Sequence, residues 1–279
     1  MKPWLLVAAA PFLMSLRTPE PTCDSPPVLS SPTGAFILPE TDDGDTFTLF
    51  SMNIRNRGYE TEYPANRMAC LSKIAAKADI ATLQEDFQTG PKPDGYSHQR
   101  PGRLNAPGRL FLANTSGLTL LSRIAPDKVN FTPFGTCNGW LPDRGKGDCW
   151  PGKGVQSAQI GSRRVFNLHA DAGRTNMDIG TRFEQFMDMQ IPLEGDLLIS
   201  GDSNLSWASE ADERTLKAFT QKNNLTVYYR GASNKGKDMI LGRGYELVDV
   251  RIVPKKGLSD HDGVIARFKT ATPPAPPRG

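Results

Sequence analysis

Apolar side chains recur at alternate positions from Thr46 to Ile54 (TFTLFSMNI), the two-residue period of a β-strand with one face buried. Over residues 63–78 the period changes. Met68, Leu71, Ile74, Ala75 and Ala78 fall on one face of a predicted helix, with Asp79 after them. Ile80 to Gln84 is a short apolar run of strand length that ends in Glu85. The same reading predicts strands at Leu118–Ser122, Val155–Ile160, Arg164–His169, Leu197–Ser200, Leu225–Tyr229, Met239–Leu241, Glu246–Val253 and Val264–Phe268. Helices are predicted at Met177–Met189, with Ile179, Phe183 and Phe186 along one side, and at Ala208–Asn223. Many strands, few helices and glycine-rich connections predict an α+β domain of two sheets with outer helices.

The ends of the chain read differently. Met1 to Leu16 carries one charge, Lys2, followed by an apolar run from Pro3, shorter than the roughly 20 residues that span a bilayer. It has the length of a secretory signal core, which predicts export or an uncleaved N-terminal anchor. Residues 18–39 hold six prolines and the last ten residues hold four, so both stretches are expected to be extended tails. The predicted organisation is a signal peptide or anchor over 1–22, a Pro-rich linker over 23–44, one catalytic domain over 45–269 and a Pro-rich tail over 270–279.

Charge and cysteine content narrow the function. The 279 residues carry 33 Lys and Arg against 30 Asp and Glu, a net charge of +3 with both signs dispersed. An avid nucleic-acid binder usually concentrates far more positive charge. Four cysteines are too few for a disulfide scaffold and match no zinc-finger spacing. A GxSxG elbow, a Walker loop, HExxH and a dinucleotide-binding fingerprint are all absent from the sequence.

What the sequence does contain is a set of polar groups placed where apolar strands end. Asn53 closes the first strand and Glu85 the second. His169 and Asp171 follow the strand in NLHAD, and Asp202 and Asn204 follow LLIS in GDSN. Asp238 precedes MIL, and Asp260 and His261 precede the last strand. Singly, each has an ordinary reading, because Asp or Asn after a strand usually closes a turn on its own backbone. As a set they are harder to dismiss, since two of only three histidines sit at strand ends near an aspartate. Such groups suit phosphoester hydrolysis. A hard cation takes oxygen ligands, and an imidazole held by a carboxylate removes a proton from water.

Five segments in this order, SMNI, LQED, NLHADAG, ISGDSNLS and LSDHDGVIARF, together with SGLTLLSRIAP, resemble the endonuclease/exonuclease/phosphatase superfamily over Phe47 to Phe268. The resemblance implies a four-layer α/β/β/α sandwich of two packed, mainly antiparallel sheets. It implies that Asn53 and Glu85 hold a divalent metal, Mg²⁺ with Mn²⁺ or Ca²⁺ as alternatives, and that Asp260 lies beside the metal site. Asp202 and Asn204 would position the water and contact the phosphate. His261 would be the base, oriented by Asp238, and His169 would stabilise the phosphoryl group. Asp171 stands where many relatives have an amide or a small residue, so the resemblance gives it no role.

Within the superfamily, FGTCNGWLPDRGKGDCWPGKGVQSAQI and NLHADAG, with Lys153-Gly154 before the strand, look like secreted neutral sphingomyelinases. HADAG is also similar to secreted deoxyribonucleases. The expectation is a metal-dependent phosphodiesterase leaning to phospholipid, with peripheral membrane-surface contact and no obligate protein partner. The alternatives are a deoxyribonuclease-like endonuclease and an inactive binding module. Arg55, Arg57, Arg100, Arg103 and Arg109 form either a local basic patch or a solvated surface. In an exported chain Cys137 and Cys149 would form a disulfide across a Gly-rich loop flanked by Trp140 and Trp150. Cys70 is expected to be a buried free thiol, with Cys23 unpaired or bonded to it.

Overall fold

Alternation along β1 (Thr46–Asn56) sends Phe50, Met52 and Ile54 to one face of a sheet and Phe47 and Leu49 to the other. The computed structural model describes residues 46–57, 63, 66–100, 116–139 and 153–271. After β1 the chain forms α1 (Arg67–Ala75), β2 (Ile80–Asp86), β3 (Ser97–Gln99), β4 (Thr119–Ser122), β5 (Lys128–Pro133), β6 (Gly154–Ile160) and β7 (Arg163–His169). It continues through α2 (Asn176–Asp188), β8 (Leu197–Asp202), α3 (Glu210–Lys222), β9 (Thr226–Arg230), β10 (Asp238–Arg243), β11 (Tyr245–Val253) and β12 (Gly263–Thr270).

The strands form two six-stranded sheets, ordered β11-β12-β1-β2-β4-β3 and β5-β6-β7-β8-β10-β9. Each contains one parallel pair, β1 with β2 and β7 with β8, and is otherwise antiparallel. Helix α1 covers the outer face of the first sheet, where Leu71, Ile74 and Ala75 pack on Phe50, Met52 and Leu83. Phe186 of α2 and Leu216 and Phe219 of α3 cover the outer face of the second, on Leu168, Ile199 and Leu241. Phe47, Leu49, Ile80, Val165, Leu198 and Ile240 fill the space between the sheets. These are the expected four layers.

The inner faces of the sheets change character along the strands, and this change places the site. Following the two-residue period, β8 directs Leu198, Ser200 and Asp202 inward, β7 directs Val165, Asn167 and His169, and β10 directs Ile240 and Asp238. In the middle the apolar contacts give way to a hydrogen-bonded polar layer. The Thr82 and Ser200 hydroxyls are 2.7 Å apart, Gln84 Nε2 donates to Asn167 Oδ1 at 2.7 Å, and Asn167 Nδ2 donates to Leu83 O at 3.0 Å. Because these buried groups satisfy one another across the two sheets, they fix the sheets' relative position as well as their separation. One step further along the same strands lie the acid and imidazole groups.

Several details differ from the sequence expectation. The predicted inward face of α2 is corrected. Phe183 is 46% exposed, while Asp178, Arg182, Gln185 and Phe186 are buried. Arg182 can turn inward because Asp212 of α3 meets it with bonds of 3.0 and 3.2 Å, a pairing no periodicity reveals. Strands β3 and β5 lie where no strand was predicted. Both are at sheet edges, and β5 has no buried residue, so the burial that makes a strand legible is missing. Among the described residues there is no free cysteine, which corrects the free thiol expected at Cys70. The predicted signal peptide or anchor over 1–22 and linker over 23–44, together with Cys23, Arg103, Arg109, Trp140, Cys149 and Trp150, lie outside the described residues. So does the predicted tail over 270–279 from residue 272 onward, while Thr270 still belongs to β12.

Candidate active site

Asn53 lies on the inner face of β1, three residues before its end, and its amide nitrogen donates to two acids at once, Glu85 Oε1 at 3.1 Å and Asp202 Oδ2 at 3.1 Å. One side chain thus joins the two sheets across their polar end. Asn53 Oδ1 accepts from Arg55 N at 3.1 Å, and Asn53 O accepts from Ser259 Oγ at 2.6 Å, which ties the segment before β12 to the same point.

Glu85 breaks the alternation of β2. Ile80, Thr82 and Gln84 face inward and Ala81 and Leu83 face α1, so regular strand geometry would turn Glu85 away from Asn53. Its φ of 54° instead swings it to the inner side. A non-glycine residue in the left-handed region is held there by its surroundings, and such strain gathers at functional sites. Those surroundings are the neighbouring Asp86, fully buried, which accepts from Asn56 Nδ2 at 2.9 Å and Thr119 Oγ1 at 2.7 Å and pairs with Arg100 at 3.4 Å. The Glu85 carboxylate is also bound by Arg57 Nε. Burial pushes the Glu85 carboxyl up, but Arg57, His169 and Asn53 outweigh it and hold the group down at about 2.

Asp202 ends β8 and stands among the other groups. His169 Nε2 lies 3.7 Å from its Oδ2 and 3.9 Å from Glu85 Oε1, and His261 Nε2 lies 3.7 Å from the same Oδ2. Burial again raises the carboxyl, and the charges of His261, His169, Lys153 and Lys237 override it, holding Asp202 well below the usual carboxylate range. Its position depends on Gly201, whose φ is 142°. A Cβ there would sit 2.1 Å from Leu168 O of the parallel neighbour β7.

His261 is gripped from the other side. Its Nδ1 is 2.9 and 3.0 Å from the two carboxylate oxygens of Asp238, which opens β10 opposite Asp202 in the register. Burial lowers the imidazole, but Asp202 first and then Asp238 and Asp260 raise it to about 9. Asp238 moves upward, chiefly from burial, with His261 opposing and Asp202 adding to it. Asp202, Asp238 and His261 offer ligand atoms within 4.8 Å of one another.

The remaining expected residues fall around this centre. Asn204, with φ 54°, donates from Nδ2 to Ala170 O at 3.0 Å and accepts from Lys237 Nζ at 3.2 Å. Asp260 is at the rim, 3.3 Å from Arg55 Nη1. Asp171 is fully buried, accepting from Asn138 N at 2.7 Å and Gln185 Nε2 at 3.2 Å, which makes it a tether for the loop before α2. Sequence reasoning missed Lys237, whose only signal is its place directly before Asp238. It also gave Lys153 no contact, whereas the buried Nζ donates to Ala170 O at 2.9 Å.

Two mixed six-stranded sheets between helix layers, with acids and imidazoles at one end of the inner faces, define the endonuclease/exonuclease/phosphatase fold, and the chain has that fold. It is similar to a solved endonuclease/exonuclease/phosphatase from Beutenbergia cavernae, with TM-score 0.63, 12% identity, and 83% of this chain and 73% of that one covered. It is similar to sphingomyelinase C from Streptomyces griseocarneus, with TM-score 0.54, 16% identity and coverage of 80% and 99%. A third similar structure is D. rerio TDP2 complexed with a single-strand DNA product, with TM-score 0.55, 14% identity and coverage of 81% and 99%. No family model matches the sequence, and no curated protein matches it.

Proposed function

We propose that this chain is a divalent-metal-dependent phosphoester hydrolase. The observation that carries the proposal is the joining of Glu85, Asn53, Asp202, His261 and Asp238 into one chain of contacts, drawn from five segments spread over about two hundred residues. A purely structural role gives no reason to bury two carboxylates against one amide and two imidazoles, because unpaired buried charge is costly.

The donor set fits a hard cation. Glu85 is a carboxylate at the mouth of the site, its side chain 11% exposed, and an ionised carboxylate is the ligand a hard cation prefers. Glu85 would hold Mg²⁺, or Mn²⁺ or Ca²⁺, through its carboxylate, with Asn53 joining it by turning its amide so that Oδ1, which here accepts from Arg55 N, replaces Nδ2 beside Glu85. Asp260 stands near enough to raise His261 by its charge. When bound, the ion supplies neutralisation of phosphoryl and leaving-group charge. The residues supply the rest. Asp238 fixes Nδ1 of His261, so that Nε2, on the side of Asp202, is the atom that takes a proton from water when the ring is neutral, the form that grows as pH rises toward about 9. Asp202, kept ionised, orients that water, and Asn204 and His169 donate to the phosphoryl oxygens.

As substrate we propose a phosphodiester of phospholipid type. The sphingomyelinase-like segment around Lys153-Gly154 supports this, and so does the state of the arginines. Arg55, Arg57 and Arg100 pair with Asp260, Glu85 and Asp86, and so do not present the open basic strip that duplex binding rewards. The apolar N-terminal run supports export, with residues 45–269 as the catalytic domain. The test is a panel of bis(p-nitrophenyl) phosphate, sphingomyelin vesicles and plasmid DNA, each with and without chelator. Chelator-sensitive cleavage of the diester and the vesicles is expected. Plasmid nicking without lipid cleavage would replace the substrate with DNA, and turnover indifferent to chelator would remove the metal from the mechanism.

A further inference from the structure

The turn Gly231–Lys237 joins β9 to β10 and reaches both halves of the site. Its main chain is clamped to the segment after Asp202. Ser203 N and Oγ donate to Lys237 O at 2.9 and 2.6 Å, and Trp207 N donates to Lys235 O at 2.9 Å. Gly236, at φ 82°, packs so closely that a Cβ there would lie 2.8 Å from both the Trp207 ring and the Arg230 guanidinium. Two side chains leave this closely held turn toward the site. Asn234 Nδ2 donates to Asp238 Oδ2 at 3.2 Å, and Lys237 Nζ donates to Asn204 Oδ1 at 3.2 Å.

The second contact decides how Asn204 is presented. Asn204 is 4% exposed, and its backbone N–H donates to Asp202 Oδ1 at 3.0 Å. A carboxamide has an oxygen end and a nitrogen end, and an ammonium only donates. Lys237 therefore requires Oδ1 on its own side, while Ala170 O requires Nδ2 on the other. Only one of the two Nδ2 hydrogens is used by Ala170, which leaves the second for an acceptor such as a phosphoryl oxygen. The Lys237 ammonium also adds positive charge beside Asp202.

We infer that Lys237 is a positioning residue of the hydrolytic centre, one that sets the orientation of the Asn204 amide from the clamped turn Gly231–Lys237. This rests on the phosphoester-hydrolase reading. Asn234, three residues earlier, steadies Asp238 from the same turn, so one short segment aligns both the amide and the imidazole side of the site.

The test compares Lys237→Met, which keeps the stem and removes the donor, with Lys237→Arg, which restores one. With bis(p-nitrophenyl) phosphate, Lys237→Met is expected to lower kcat roughly tenfold to a hundredfold. KM should stay within about twofold, and the thermal midpoint should be unchanged. Lys237→Arg is expected to recover most of the loss. In ¹⁵N NMR the Asn204 side-chain amide signal, identified by its disappearance in Asn204→Ala, is expected to shift in Lys237→Met. An unchanged kcat with an unmoved amide signal would overturn the inference. So would a raised KM with kcat preserved, because the lysine would then bind substrate directly. If the unaltered protein shows no chelator-sensitive turnover, the hydrolase reading fails and the positioning role falls with it, whereas the amide signal still decides whether Lys237 holds Asn204.

Discussion

His261 meets Asp238 through Nδ1, at 2.9 and 3.0 Å from the two carboxylate oxygens, which leaves Nε2 pointing at Asp202, 3.7 Å away. The carboxylate fixes both ring orientation and tautomer, and for a base acting on water these matter as much as basicity. His261→Ala should lower diester hydrolysis by about 10³-fold. Asp238→Asn keeps the shape but leaves a group that can donate to Nδ1 and so present the wrong tautomer; its loss should be of similar order. Initial rates at saturating substrate check both, and a loss under about tenfold in both would dismiss the imidazole as base.

The same groups predict how the metal-free protein responds to pH. His261 is raised from 6.5 to about 9, so its contribution to stability is complete below pH 6.5 and is lost as pH rises through about 9. Glu85 is lowered from 4.5 to about 2, so its contribution is complete above pH 4.5 and is lost as pH falls toward 2. In chelator the thermal midpoint should therefore decline between pH 6.5 and 9. His261→Ala should flatten that decline and leave the acid limb in place. Differential scanning calorimetry over this range is the measurement, and an unaltered alkaline limb in the variant would assign the decline to other groups.

How far the sequence reveals all this depends on whether a residue's role is local. The core strands are legible because burial on one or both faces writes itself as period and composition; β8, with LLIS before GDSN, is an example. The positions of Asp202, His169 and Asp238 at strand ends are legible for the same reason. What is not legible is contact at a distance. That Asn53 faces Asp202, 149 residues away, follows from the stacking of two sheets. That Glu85 leaves the face its alternation assigns follows from a left-handed φ sustained by Asp86 and Arg57. The inward turn of Arg182 was misread as an apolar face because its partner lies on another helix.

That buried pair is itself testable. The side chains of Arg182 and Asp212 are 1% and 3% exposed, and Arg182 also donates to Gly173 O at 3.1 Å in the loop after His169. Removing one partner leaves an uncompensated charge, so Arg182→Met should cost about 3–5 kcal/mol. Arg182→Met combined with Asp212→Leu should recover much of that cost, because well-packed apolar groups often replace a buried ion pair at little net cost. Urea denaturation of the two single variants and the double variant gives the coupling directly. Additive losses would mean that the two side chains do not depend on each other.

The most exacting position is Gly201, between the polar layer at Ser200 and the acid at Asp202. β8 runs parallel to β7, with Gly201 opposite Leu168 in the register, and a Cβ at 201 would meet Leu168 O at 2.1 Å with the backbone at φ 142°. The three nearest atoms are all main chain of Leu168, so no rotamer change relieves the clash; the two strands must part. Gly201→Ala should therefore cost about 3 kcal/mol in urea unfolding. The parting falls on the stretch that carries Asp202, so hydrolysis should drop further than the unfolded fraction accounts for. Asp202 would move away from Asn53 Nδ2 and His261 Nε2, both of which depend on the present strand spacing. Measuring kcat at a temperature where the variant is fully folded separates the two effects. Full activity there would show that Asp202 does not need the close approach of β7 and β8.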